Sequence, residues 1–342
     1  MGVNLTPIIC KRIIKLDDLE GRTLAVDANN VLYQFLALIR TPDGSPLKSR
    51  DGRITSHLAG LLYRSTRLIS NYNMNLVFVF DGKPPRHKER EIEKRRQVRR
   101  RAEEEWREAL KAGDYARAFS KAVMTSRLTR EMIEDAKRLL SLLGIPYVQA
   151  PSEGEAQAAY MAIKGDVWAS SSRDYDSLLF GTPRLVRYLT ISGKEFLPSL
   201  GVSRPLEPEL ITLGELLFHH GITRRQLVDI AILIGTDFNR GVRGIGPKKA
   251  LDLIRRYGCI EKLPEIIRRR VPENYGEVRE IFLRPDVNTN YEIKYGYLKR
   301  EELYEFLCEE LDFSRDRVGR VIDRMLSHYR RMSQSQLERW IP

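Results

Sequence analysis

Thr23-Leu24-Ala25-Val26-Asp27 and Leu76-Val77-Phe78-Val79-Phe80-Asp81 are two short apolar runs that each end in an aspartate. A third run, Val167-Trp168-Ala169-Ser170, leads to Asp174 and Asp176. Such runs read as strands, and between them lie helical patterns over 31–39, 57–69, 130–143 and 155–163, with apolar residues at three- and four-residue steps. Strands alternating with helices predict an α/β fold, a mostly parallel twisted central sheet with helices on both faces. In sheets of this kind the functional crevice lies beyond the carboxyl ends of the strands. The strand-end aspartates are therefore expected to converge.

The remaining composition bounds what such a crevice can do. The chain has 342 residues, with 58 basic against 46 acidic, for a net charge of +12, and 42% of it is hydrophobic. That is ample for a packed core and excludes wholesale disorder. The basic excess favours a polyanionic partner. Cys10, Cys259 and Cys308 have no CxxC pair and no His at ligand spacing, so neither a disulfide framework nor a thiolate zinc site is expected. The longest apolar stretches fall short of a membrane span. Because candidate site residues run from Asp27 to Asp237, residues 1–332 are expected to form one unit, mostly helical after Gly201, followed by a polar tail over 333–342.

Each acid has an ordinary structural use. Asp27 could cap a helix, Asp81-Gly82 could be a turn, and Ser152 with Glu155 reads as a capping box. Taken together, Asp27, Asp81, Glu153, Glu155, Asp174, Asp176 and Asp237 would gather as many as seven carboxylates near one sheet edge. Bare carboxylates that close repel, so cations are expected among them. Oxygen ligands select Mg²⁺ or Mn²⁺ over zinc. More acids than one ion needs suggest two ions about 3.5–4 Å apart, the arrangement of metal-assisted phosphodiester hydrolysis.

Gly82-Lys83-Pro84-Pro85 follows Asp81 and opens a run, 86–101, with nine basic and three acidic residues, half the net charge of the protein. Its apolar residues are Ile92 and Val98, so it is not a core helix. It reads either as a solvated helix held by pairs such as Glu91 with Arg95 and Glu103 with Arg107, or as one arm of a helical hairpin over the site, broken at Gly113 and spanning about 83–130. Further on, Arg243-Gly244-Ile245-Gly246-Pro247-Lys248-Lys249 sits between helical segments, within about 223–257. It is neither a P-loop nor GxGxxG. It reads as a helix-hairpin-helix whose backbone N–H groups hold DNA phosphates. In the tail, Gln334, Leu337 and Trp340-Ile341 form a pattern suited to docking.

In this order and spacing, the motifs resemble the archaeal and eukaryotic flap endonucleases, the structure-specific 5′ nucleases of DNA replication and repair. The resemblance runs from Met1-Gly2 to the tail and is carried by Val26-Asp27-Ala28, Thr55-Ser56-His57-Leu58, 79–85, Pro151-Ser152-Glu153-Gly154-Glu155-Ala156-Gln157, 174–181, Gly235-Thr236-Asp237 and 243–248. It implies a PIN-like nuclease fold and a 5′ flap endonuclease with associated 5′-3′ exonuclease activity, acting in Okazaki-fragment maturation and repair. By this resemblance Asp27, Asp81 and Glu155 surround one Mg²⁺, and Glu155, Asp174 and Asp176 the other, with Mn²⁺ able to substitute. Glu153 and Asp237 act through metal-bound waters. Lys88 and Arg95 reach the scissile phosphate, Tyr33 stacks beside the cut, Gly2 lies near the junction, and Lys83 binds DNA. The hairpin at Gly244, Gly246, Lys248 and Lys249 grips duplex, often with K⁺. Gln334, Leu337, Trp340 and Ile341 resemble a sliding-clamp (PCNA) motif.

Three departures from the family pattern stand out. Ile341 replaces the usual second aromatic of the clamp motif, Arg173 stands where Gln is usual, and 238–241 lacks the common Asn-Pro-Gly-Gly stretch. The resemblance further implies a cytoplasmic, monomeric enzyme with branched DNA and the clamp as partners and no membrane. An exonuclease or junction-resolving member of the same superfamily, and a non-catalytic DNA-binding scaffold, are the alternatives.

Overall fold

The computed structural model describes residues 2–190, 194–197 and 202–338, with the backbone alone at 86, 194–197, 202–205 and 332–338. Its strands in chain order are β1 (Arg12–Ile13), β2 (Thr23–Asp27), β3 (Asn75–Phe80), β4 (Tyr147–Gln149), β5 (Ala169–Ser171), β6 (Arg184–Arg187), β7 (Lys194–Leu197), β8 (Val202–Pro205) and β9 (Glu209–Thr212). One seven-stranded sheet runs β1-β9-β6-β5-β2-β3-β4, and β7 pairs with β8. The strands β6-β5-β2-β3-β4 are parallel, whereas β9 is antiparallel to both β6 and β1. The sheet is mixed, as mostly parallel sheets with antiparallel edges commonly are. β9 falls in the region expected to be helical, because a short strand of four residues carries too little periodicity to separate it from a helix.

Strand alternation explains the two covered faces. Leu24, Val26, Leu76, Phe78 and Phe80 point into one core with the Ala28–Leu38 helix and residues at 58–69, 136–145 and 303–325. Ala25, Val77 and Val79 point the other way, onto Ala158, Met161 and Ala162 of the Gly154–Lys164 helix. The chain order also reverses at β2, with β3 and β4 on one side and β5 and β6 on the other. That reversal opens the crevice in which the carboxyl ends of four parallel strands meet.

The basic run forms a 23-residue helix, Glu89–Lys111, that turns back through Gly113 at φ 71° into Tyr115–Val123. Alanines let the two helices approach, since Ala102, Ala109, Ala118 and Ala122 are buried between them. The hairpin is tied to the loop between the Ala28–Leu38 and Ser56–Gly60 helices: Trp106 donates to the Asp43 carbonyl at 3.3 Å, and Arg40 donates to Ser126 at 2.9 Å. The expected pairs Glu91 with Arg95 and Glu103 with Arg107 are both formed.

The helices Arg224–Ile234 and Pro247–Tyr257 make the second hairpin, the first opened by a capping box between Thr223 and Gln226. Below it, Asp229 is fully buried and receives the Arg279 Nε–H at 2.7 Å and the Ile260 N–H at 3.3 Å. The final helix, Arg315–Glu338, continues through the expected start of the tail at 333. Gln334 and Leu337 belong to its last turns by backbone, their side chains lie outside the described residues, and so do Trp340 and Ile341 altogether. No helix among the described residues is long and apolar enough to cross a membrane.

Asp229→Ala removes one of the two carboxylates that face Arg279, which keeps Glu261 at 2.6 Å. The loss of the buried charge-assisted hydrogen bond should lower unfolding free energy by about 1–3 kcal/mol in chemical denaturation. A loss below about 1 kcal/mol, the worth of an exposed pair, would contradict the packing described.

Candidate active site

The crevice is built from strand ends. Asp27 is the last residue of β2, and Asp81 follows β3 directly. Glu153 and Glu155 lie just past β4, and Asp174 and Asp176 just past β5. Asp237 comes from the loop after the Arg224–Ile234 helix. Backbone donors hold the acids in place. Asp27 caps the Ala28–Leu38 helix by accepting the Asn30 N–H at 3.0 Å. Its structural and site roles thus coincide. Asp81 accepts the Gly154 N–H at 2.7 Å, and Asp176 accepts the Val3 N–H at 2.8 Å.

One sequence expectation is corrected here. The Gly154–Lys164 helix has Glu153, not Ser152, at its N-cap, with no side-chain cap bond. The physical reason is the Gly154 N–H, which is donated to Asp81 from the neighbouring strand. The positive end of the helix dipole thereby serves a site acid instead of a local serine.

Burial pushes five of these carboxyls upward. Asp27 stands well above the ordinary carboxylate range because it is buried and faces Asp81 and Asp174. Glu155 does so through burial and the charges of Asp176, Asp27 and Asp174. Asp176 is pushed up to about 7 by burial, Asp237 and Asp174. Burial also raises Asp81 and Glu153, against the pull of Lys88.

Two cations of the basic hairpin reach the rim. Lys88 Nζ lies 2.6 Å from Glu153 and 3.8 Å from Asp237, and Arg95 donates to Asp237 at 2.6 Å. Burial acts against the Lys88 ammonium, but Glu153, Asp81 and Asp237 hold it above its usual value. The outer acids are thus paired with protein cations, whereas Asp27, Glu155 and Asp176 form the inner cluster that has a protonation conflict. An all-oxygen donor set with too little protein counter-charge fits hard divalent cations.

Of the other expected residues, Gly2 touches the basin. Gly2 packs so closely that an added Cβ would lie 2.5 Å from Asp176 Oδ1. Tyr33 is exposed on the Ala28–Leu38 helix, and Lys83 is exposed beside Asp81. In the second hairpin Val242 and Ile245 are buried anchors, while Gly244, Gly246, Lys248 and Lys249 are exposed, with Gly244 at φ 82°. Pro247 occupies the first turn of its helix, as expected.

Several positioning groups were not anticipated. Asn30 donates its side chain to Asp174 at 3.0 Å, and Ser177 donates to Glu155 at 3.2 Å. Arg187, paired with Glu209 at 2.8 Å, donates to the Arg173 carbonyl at 2.8 Å and so steadies the loop that carries Asp174. A readable signal existed for Asn30, which belongs to the polar Asn29-Asn30 pair that closely follows Asp27. Arg187 gave none, because its partners come from distant strands.

A basin of buried and half-buried acids roofed by a basic hairpin fits a metal-dependent phosphodiesterase. Family models place the chain more closely: the XPG N-terminal domain matches residues 1–102 and the XPG I-region residues 144–237. Flap endonuclease 1 of Staphylothermus marinus is 48% identical over 349 residues, covering 99% of each chain. That of Pyrococcus furiosus is 48% identical over 341 residues, again covering 99% of each. The solved flap endonuclease-1 from Methanococcus jannaschii superposes with a TM-score of 0.76 at 44% identity, covering 96% of this chain and 98% of that one. The chain belongs to the flap endonuclease family. Members hydrolyse DNA phosphodiesters and generally need divalent metal ions.

The raised acids have a measurable consequence. Asp176 titrates near 7 in the fold against an ordinary 3.8. Its burial is therefore tolerated below about pH 4, becomes increasingly costly as pH rises, and is fully costly above about 7. Asp176→Asn should raise the melting temperature of chelator-treated protein at pH 8, and the gain should vanish by pH 4. A lower melting temperature at pH 8 would contradict the electrostatic conflict.

Proposed function

We propose that the enzyme cuts one strand of DNA at a single-strand to double-strand junction bearing a 5′ flap, in replication and repair, and that residues 1–332 act as one nuclease unit. The observation that carries this is the reach of Lys88 and Arg95 into the acid basin. Cations held against site acids are poised to exchange those carboxylates for the oxygens of an incoming phosphate, where they stabilise developing negative charge. Two Mg²⁺ ions, replaceable by Mn²⁺, would be held by Asp27, Asp81 and Glu155 and by Glu155, Asp174 and Asp176, supplying an activated water and counter-charge for the leaving oxygen. Glu153 and Asp237 assist through water once their cations turn to DNA.

The rest of the molecule orients the duplex. Tyr33 offers a ring for stacking at the cut, and Lys83 adds charge at the crevice mouth. The exposed backbone at Gly244 and Gly246, with Lys248 and Lys249, presents N–H donors and positive charge at a helix N-terminus to duplex phosphates. A K⁺ within this hairpin, clamp docking through Gln334, Leu337, Trp340 and Ile341, a monomeric state and a cytoplasmic setting complete the proposal.

One preparation assayed on a 5′ flap, a blunt duplex, a 3′ flap and a four-way junction, with Mg²⁺ or chelator, tests the reading. The 5′ flap should be cut fastest and only with metal; preference for the four-way junction would favour the junction-resolving alternative. Glu155→Gln or Asp174→Asn should abolish cleavage while junction binding stays within a few-fold. Lys88→Ala and Arg95→Ala should each slow single-turnover cleavage roughly a hundredfold or more. Near wild-type rates would reduce the basic hairpin to a solvated helix. Deleting 334–342 should remove stimulation by the clamp and spare basal cleavage, and stimulation that survives would remove the tail from the proposal.

A further inference from the structure

The N-terminal segment leaves the acid basin at Val3, passes through the Thr6–Ile8 turn and enters β1 at Arg12. Between turn and strand, Cys10 meets the last turn of the Leu213–His220 helix. Donor atoms of Cys10, His219 and His220 lie within 4.8 Å of one another, with Cys10 and His220 half-buried and His219 exposed. The sequence hides this cluster because only the fold brings its parts together. Consecutive histidines on a helix normally diverge, yet these two rings stand edge-on with centroids 4.8 Å apart.

The surroundings are those of a ligand set. His220 Nε2 and the Ile8 carbonyl oxygen are 2.6 Å apart. A carbonyl can only accept, so Nε2 carries the proton and Nδ1 keeps its lone pair, the usual arrangement behind a metal-binding imidazole. Glu215 stands one helical turn before His219, and its charge, after burial, pushes the Cys10 thiol up. The C-terminal end of a helix adds a further preference for positive charge.

We propose that Cys10, His219 and His220 bind a borderline-soft divalent transition metal, with Zn²⁺ the best match. One sulfur and two imidazole nitrogens suit Zn²⁺ and not Mg²⁺, and three protein ligands leave a fourth position for water or Glu215. Tetrahedral zinc places ligand atoms about 3.3–3.8 Å apart, so binding would draw together side chains whose donor atoms lie within 4.8 Å of one another. On binding, the Cys10 S–H proton passes to solvent and the thiolate forms the metal–sulfur bond, with no change of oxidation state. The metal would tie the N-terminal segment to the Leu213–His220 helix and so restrain the stretch whose Val3 N–H holds Asp176.

The test is a Co²⁺ titration of full-length protein, freed of metal and kept in excess Mg²⁺ so that the acid basin is saturated. One equivalent should bind with thiolate-to-cobalt charge-transfer absorption and tetrahedral visible bands, and Zn²⁺ should bleach both. Cys10→Ser should lose the charge-transfer band. His219→Ala, which alters an exposed side chain, should weaken binding about tenfold or more, and unchanged circular dichroism would show that both variants fold. The proposal is overturned if no Co²⁺ binds, if it binds without charge transfer, or if the band survives Cys10→Ser and so belongs to Cys259 or Cys308.

Discussion

The structure turns on the burial of like charges. Asp27, Glu155 and Asp176 sit at the carboxyl edge of the sheet within electrostatic reach of one another, and Asp81 and Asp174 add to the same field. No apolar packing explains such a cluster, which opposes folding whenever the acids ionise. The fold nevertheless aims what it has at these groups: the start of the Ala28–Leu38 helix at Asp27, the start of the Gly154–Lys164 helix at Asp81, and the N-terminal segment at Asp176. These donors fix position without cancelling charge. What remains is a demand for divalent cations and, beyond them, for a phosphate.

The same demand organises the upper layer. The basic hairpin would be an ordinary solvated helix pair if its charges met only one another, as Glu103 and Arg107 do. Lys88 and Arg95 instead cross to Glu153 and Asp237, so the hairpin is anchored on the site that it covers. Through Asp237 the arrangement reaches the loop leading to the second hairpin, whose buried Val242 and Ile245 hold an exposed glycine turn outward. Basin, roof and second hairpin are therefore linked through Asp237.

The architecture was legible where its physics is local. Two strand runs ending in aspartate implied the parallel sheet and the converging acids, and Pro247 marked the start of its helix. The antiparallel edge formed by β9 was not legible, because four residues paired across the chain leave no period to detect. The helix cap falls at Glu153 and not at Ser152 for a related reason: the group that engages the helix start is Asp81, from the end of a neighbouring strand. Arg187 and the meeting of Cys10 with His219 and His220 were invisible on the same ground. Local pattern finds the acids; tertiary contact decides what steadies them.

In the metal-free basin the inner carboxylates hold protons that divalent cations must displace. Calorimetric titration of Mg²⁺ into metal-free protein at pH 6.5, repeated in buffers of different ionisation enthalpy, measures that exchange directly. A basin in conflict predicts release of about one proton or more per molecule, with the share from Asp176 falling as pH rises past about 7. Magnesium binding with no proton release at pH 6.5 would contradict it.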